Sequence, residues 1–172
     1  GEINPSYTMD DLVLKLHYTK NFLRYFVFAS TKSELVYFGD YTIHHTQTED
    51  ELKEQLQNIL EKDAVLKRTY KQIFIGADST FDLLPAAFFS GTEDYVDSLL
   101  NGTVYLVYSF SKELEQLFLT HFESVNIIHI GGSLITALQK EHNTLIERLY
   151  VNVNHQTIDI TSFSGEGKFQ FF

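Results

Sequence analysis

The stretch DLVLKLHYTKNFLRYFVFASTKSELVYFGDYTIH, residues 11–44, decides how the chain begins to fold. From Asp11 to Thr19, Leu12, Leu14 and Leu16 recur every second residue, so an extended segment carries all three on one face. Phe22 to Ser30 reads as a second, aromatic strand, and Glu34 to His44 as a third. The links between them are short and polar, which predicts an antiparallel three-stranded meander. Phe22, Tyr25, Phe26 and Phe28 give the middle strand apolar bulk on both faces. Either helices cover both faces or one is a partner surface, and burial in the core is the expectation.

Residues 1–10 read as a polar lead-in. Beyond the meander, Thr48 with Glu51 three residues later forms a capping box that satisfies two orphan backbone donors. Leu52, Leu56, Ile59, Leu60 and Leu66 follow at helical spacing, opposite Lys53, Glu54, Gln57, Glu61 and Lys62. Lys67, Arg68 and Lys71 are read as the basic end of this helix, complementing its dipole. Gln72 to Ala77 is an apolar run expected to be a buried strand. Pro85 opens a helical turn at Ala86 to Ser90, and Thr92 to Asn101 is predicted to be a short helix that turns Tyr95, Val96, Leu99 and Leu100 inward. Thr103 to Phe110 alternates as a strand, Ser111 caps a helix carrying Leu114, Leu117 and Phe118, and Val125 to Ile130 is a strand. Gly131-Gly132 predicts a tight turn, with Ser133 as N-cap of a helix reaching His142. Three further strands are expected at Arg148 to Asn154, Thr157 to Ser162 and Lys168 to Phe172.

The alternation of strands and helices predicts an α/β protein with a mixed sheet and helices packed on it. A three-strand meander opens each of two parts, and the chain stops in the apolar strand Phe169 to Phe172, so a second half is expected to follow. The 172 residues, 44% hydrophobic and 15% aromatic, supply an ample core. There is no cysteine, which excludes disulfides, thiol nucleophiles and cysteine-ligated metals. A formal net charge of −10 repels phosphate backbones and anionic lipid, so neither nucleic-acid binding nor membrane insertion is expected. No run reaches the roughly 20 apolar residues of a bilayer span. The start, Gly1 to Pro5, is polar and acidic, so no leader is read there and a cytoplasmic location is expected.

From Thr103 onward the order is strand, helix, strand, helix, hairpin, running through Val104 to Tyr108, Leu114 to Phe122, Val125 to Ile130 and Ser133 to His142. It closes on Val151-Asn152-Val153-Asn154-His155-Gln156-Thr157-Ile158-Asp159-Ile160. This layout resembles the actin-like ATPase superfamily, especially its pilus-assembly and cell-division branch. Ile73 to Gly76, followed by Phe81-Asp82-Leu83-Leu84-Pro85-Ala86-Ala87-Phe88-Phe89, is similar to a family of Bacteroidetes proteins of unknown function assigned the same fold. The resemblance implies a β-β-β-α-β-α-β-α, RNase H-like subdomain with an insert at residues 1–144, and the first three strands of a second at residues 145–172.

In the resembled families the closing hairpin reads V-D-I-G-x-x-T-T-D-L and wraps a nucleotide phosphate. Glycine there lets backbone N–H groups approach the phosphate, and aspartate positions Mg²⁺ or its waters. Here Asn152 stands for the Asp and Asn154 for the Gly, whereas Thr157 and Asp159 match. Asp159 reads equally as an outward polar residue of an alternating strand. In the first hairpin, His17-Tyr18-Thr19-Lys20-Asn21 has neither carboxylate nor glycine, although Tyr18 and Lys20 could reach an anion. Phosphoryl transfer would lack both its metal and its cradle. The expectation is a non-enzyme with no cofactor, no ATP hydrolysis and little or no ATP binding. A phosphate-binding regulator using Asn152, Asn154 and Thr157 is the alternative.

Other chemistry is thin. His44-His45 point to opposite faces of a strand and make poor joint ligands, and His121 and His129 lack an accompanying carboxylate pattern, so no metal is expected. Gly131-Gly132-Ser133 is not a nucleophile elbow. Asp78, Asp82, Glu93, Asp94 and Asp97 read as solvated charges around the Pro85 segment. An RNase H-like nuclease needs clustered acids on its central strands, and Leu12 to Leu16 and Ile73 to Ala77 carry none. Pro85, Phe88 and Phe89 form the candidate interaction surface. The expected partner is an unidentified protein, with self-association through exposed strand edges.

Overall fold

The computed structural model describes residues 3, 7–32, 34–44, 48–93, 95–141, 147–153, 158–164 and 169–170. In chain order its elements are β1 (Leu12–Tyr18), β2 (Phe22–Ala29), β3 (Glu34–Thr42), α1 (Glu49–Lys62), β4 (Gln72–Ala77), β5 (Phe81–Pro85), β6 (Tyr95–Leu99) and β7 (Val104–Tyr108). Then come α2 (Lys112–His121), β8 (Asn126–His129), α3 (Ile130–Glu141), β9 (Arg148–Val153), β10 (Ile158–Phe163) and β11 (Phe169–Gln170). They fall into two compact units, Gly1–Thr80 with Tyr108–Ile128, and Phe81–Val107 with His129–Phe172.

The first unit is built on a five-stranded sheet of order β3-β2-β1-β4-β8. The predicted meander is present: β1 pairs antiparallel with β2, β2 antiparallel with β3, and β1 parallel with β4. Setting β5–β7 aside, the order β-β-β-α-β-α-β-α is the expected one. Leu12, Leu14 and Leu16 are buried with Leu23, Tyr25 and Val27 of β2 and Ile73 and Ile75 of β4. Leu52, Leu56 and Leu60 of α1 and Leu114, Leu117 and Phe118 of α2 complete the cluster. Each fully buried leucine contributes about 1.5–3 kcal/mol.

Thr48 caps α1 as the sequence predicts. Its Oγ1 accepts from Glu51 N at 3.3 Å, and the Glu51 carboxylate accepts from Thr48 N at 3.4 Å. The helix stops at Lys62, so Leu66 and the basic trio Lys67, Arg68 and Lys71 lie beyond it rather than in its last turn. Asp63 makes the stop. Its Oδ1 accepts from Val65 N at 2.6 Å and Leu66 N at 3.2 Å, and its Oδ2 accepts from the Tyr25 and Tyr41 hydroxyls at 2.5 and 2.6 Å.

The middle strand departs from expectation. Only Tyr25 of its aromatics is fully buried; Phe22, Phe26 and Phe28 are half-buried on the opposite face of the sheet. Strand alternation dictates this, because core helices α1 and α2 pack against the face that holds Leu23, Tyr25 and Val27.

The second unit has two three-stranded sheets, β5-β7-β6 and β11-β10-β9. The helix predicted at Thr92 to Asn101 is instead strand β6, Tyr95–Leu99. Its 95, 96, 99, 100 spacing fits a helix, but pairing in the β5-β7-β6 sheet overrides that weak preference. The chain leaves β6 through Leu100, Asn101 and Gly102, all in left-handed conformation at φ 51°, 58° and 82°. Phe81–Pro85, not read as a strand from sequence, is β5, while the helical turn expected after Pro85 is a short 3₁₀ turn at Ala86–Phe88.

Gly131 and Gly132 do not form a tight turn, and Ser133 is not an N-cap. All three lie inside α3, which starts at Ile130 directly after β8. The glycines are needed for close approach. A Cβ on Gly132 would lie 2.9 Å from Asp97 Oδ2, and one on Gly131 would lie 3.1 Å from His129 Nδ1.

Candidate functional site

In open α/β sheets ligands gather at the carboxyl ends of the strands. In the first unit that edge is formed by β1 and β4, and by the turn into β2. The turn is tight: Thr19 N donates to Phe22 O at 2.8 Å, and the Thr19 hydroxyl accepts from Asn21 N at 3.1 Å. Thr19 therefore closes its own turn. Tyr18 does not reach outward as the sequence reading allowed. Its ring packs on Phe110 and Phe118, with centroids 6.2 and 5.7 Å away.

His17 is the residue placed for chemistry. It pairs in register with Gly76 of β4, and two residues later the chain delivers Asp78. His17 Nε2 lies 3.9 Å from Asp78 Oδ2, within ion-pair reach but beyond a hydrogen bond. Nε2 is buried and has no hydrogen-bond partner among the described residues. The ring stands edge-on to Phe22 at 5.0 Å. Burial pushes the His17 pKa below its ordinary 6.5, and the nearby Asp78 carboxylate only partly offsets this. Asp78 is thus a carboxylate at this edge that the linear reading missed. The parallel pairing of β1 with β4 is the signal that brings it there.

The closing hairpin is described only in part. Asn152 and Asp159 are direct partners across β9 and β10. Asn154 and Thr157 lie outside the described residues.

Two overlapping segments, residues 7–104 and 92–172, match the family model described as "Protein of unknown function (DUF3822)". The chain belongs to this family. No curated protein matches it. Among solved structures, this DUF3822 chain superimposes on a Bacteroides thetaiotaomicron protein described as having an actin-like ATPase fold and unknown function. The TM-score is 0.80 at 14% identity, over 95% of this chain and 69% of that one. A ROK family transcriptional regulator, homolog of the E. coli MLC protein, matches with TM-score 0.52 and 11% identity, over 92% of this chain and 38% of that one. The DUF3822 chain therefore has an actin-like ATPase fold, as the family resemblance implies. At these identities the likeness carries the fold alone.

The second place singled out by sequence is the tip of the β5–β7 segment. Pro85, Ala86, Ala87 and Phe88 are all exposed, Phe88 to 76%. Phe89 is different: its ring stacks on Tyr105 with centroids 4.1 Å apart. Ala86 N donates to Thr103 O at 3.0 Å, so the tip is braced against the start of β7.

The remaining candidates are structural. His44 is exposed at a strand end, and its backbone exchanges hydrogen bonds with the Gln55 side chain, while His45 lies outside the described residues. His121 Nε2 sits 3.3 Å from Leu66 O. His129 is buried against Phe81, and its backbone N–H donates to Asp97 Oδ2 at 2.7 Å. Asp97 is therefore a structural acceptor rather than the solvated charge expected. Among the described residues no group of three or more His, Asp or Glu could hold a metal ion. No helix among them is long and apolar enough to cross a membrane.

Proposed function

We propose that this DUF3822 domain is a non-catalytic protein-interaction or scaffold module that neither binds nor hydrolyses a nucleotide. One observation carries the reading: at the β1–β4 edge the phosphate-facing turn is spent on itself. The Thr19 hydroxyl closes the turn, Tyr18 is packed inward, and His17 is half-buried, which disfavours its charged form. A phosphate cradle needs N–H groups free to converge and a close backbone approach, and the turn 19–21 contains no glycine. One carboxylate, Asp78, beside an imidazole is a poor setting for Mg²⁺, which takes oxygen ligands.

The test is thermal denaturation with ATP or ADP at millimolar concentration, with and without Mg²⁺, alongside phosphate release. No shift and no turnover are expected. Saturation at 100 times a dissociation constant would stabilise by about 2.7 kcal/mol, a shift that cannot be missed. A shift without turnover would favour a phosphate-binding regulator instead. Turnover lost in His17→Ala or Asn152→Ala would refute the scaffold reading.

A further inference from the structure

Two exposed apolar surfaces of this chain carry opposite charges. The first is the open face of the five-stranded sheet. Phe26 stacks on Phe38 at 5.1 Å and neighbours Phe28 at 6.4 Å; Leu35, the register partner of Phe28, is 50% exposed and Phe38 is 48% exposed. Lys15 stands in the same cross-strand row as Phe26 and Phe38, its ammonium 5.2 Å from the Phe28 ring centroid. Among the described residues it has no carboxylate partner, whereas the other cation of this face, Arg24, is paired with Asp40 at 3.2 Å. This is an aromatic surface whose one cation without a carboxylate partner rests on an aromatic ring.

The second surface is the Pro85–Phe88 tip, a small braced protrusion ending in an exposed ring. Residues 81–107 contain Asp82, Glu93, Asp94 and Asp97 and no Lys or Arg. Asp82, exposed on β5, carries the charge nearest in sequence to the tip. An acidic apolar knob calls for an apolar surface bearing a cation, and the open sheet face is such a surface on the same chain.

We propose that the knob of one copy docks on the aromatic sheet face of a second copy, with Phe88 seated among Phe26, Phe28 and Phe38 and Asp82 facing Lys15. The contact joins two different patches, so each copy offers one donor and one acceptor surface. Aromatic anchors dominate small interfaces, and the opposed charges set partner choice and association rate more than affinity. The proposal rests on reading the domain as an interaction module and names its partner.

Sedimentation velocity and light scattering across a concentration series test it. The wild-type protein should associate with rising concentration. Phe88→Ala and Lys15→Glu should each weaken association about tenfold or more. Both positions are exposed, and unchanged circular dichroism and melting check the fold. At a concentration where neither variant associates alone, a one-to-one mixture should form a two-copy species, since one keeps the face and the other the knob. Lys15→Glu with Asp82→Lys in one chain should restore association. A wild-type protein that stays monomeric throughout, association untouched by Phe88→Ala, or a mixture that stays monomeric would each overturn the proposal. A monomer inert to nucleotide removes only this partner, whereas turnover in an associating protein removes only the non-catalytic reading.

Discussion

Gly39→Ala should be the most damaging single-methyl change in the first unit. Gly39 is the direct cross-strand partner of Tyr25, and the Tyr25 ring lies over it. A Cβ at position 39 would overlap Cε1 and Cζ of that ring and lie 2.7 Å from its hydroxyl oxygen. The ring has nowhere to go. Tyr25 is fully buried, stacked at 5.8 Å on Tyr37 and 6.5 Å on Tyr41, and its hydroxyl donates to Asp63 at 2.5 Å. Displacing it strains the core by about 1–3 kcal/mol and forfeits a hydrogen bond to a carboxylate worth about 1.5–3 kcal/mol. The intrinsic gain of replacing glycine in a strand offsets about 0.5–1 kcal/mol. The net loss is about 2–5 kcal/mol, or a fall of about 4–20 °C in Tm for a chain of this size. Urea titration followed by circular dichroism measures it. The diagnostic arm is Tyr25→Leu, which removes the overlapping ring atoms. In that background Gly39→Ala should be neutral or stabilising, giving a coupling of about 2 kcal/mol or more. An unchanged midpoint in Gly39→Ala, or the same loss with and without Tyr25, would refute the reasoning.

Four further outcomes can be measured. Burial alone would raise the Asp63 pKa, but hydrogen bonds from Tyr25, Tyr41, Val65 N and Leu66 N outweigh it and hold the carboxyl below its ordinary 3.8. Its contribution to stability is present above pH 3.8 and is lost as pH falls through the depressed value, so acid titration of Asp63→Asn should lack that part of the transition. At the alkaline end, the hydrogen bond to Asp63 followed by burial holds the Tyr41 phenol up to about 12. That stabilisation is complete below its ordinary 10.0 and fades as pH rises through about 12, which an alkaline melt of Tyr41→Phe should show. The His17 imidazole should titrate below 6.5 by NMR, because burial disfavours its charged form, and Asp78→Asn should move the midpoint lower still. A His17 midpoint above 6.5 would contradict the burial. Gly132→Ala should cost about 1–3 kcal/mol by pushing Asp97 off the His129 N–H, and Gly131→Ala, with its looser 3.1 Å contact, should cost less; equal stability of the two variants would show that the Asp97 contact is slack.

The sequence by itself determined the parts governed by local periodicity. The alternation Leu12, Leu14, Leu16 and the capping box Thr48–Glu51 specify a strand and a helix start without help from the rest of the chain, and both stand where they were read. The order of elements outside residues 81–102 was legible for the same reason, and the resemblance it carries to actin-like proteins pointed to the fold. What depended on distant partners was not legible. Tyr95–Leu99 has helical spacing but pairs in a sheet. Gly131-Gly132 looks like a turn, yet serves the approach of Asp97, more than thirty residues earlier, to the start of a helix. Asp78 reads as one more solvated acid until parallel pairing of β1 with β4 sets it beside His17. Periodicity reports which face of an element is apolar; it does not report which apolar face finds a partner. Phe22, Phe26 and Phe28 therefore looked like core residues in the sequence, and only the packing of α1 and α2 against the opposite face left them half-buried.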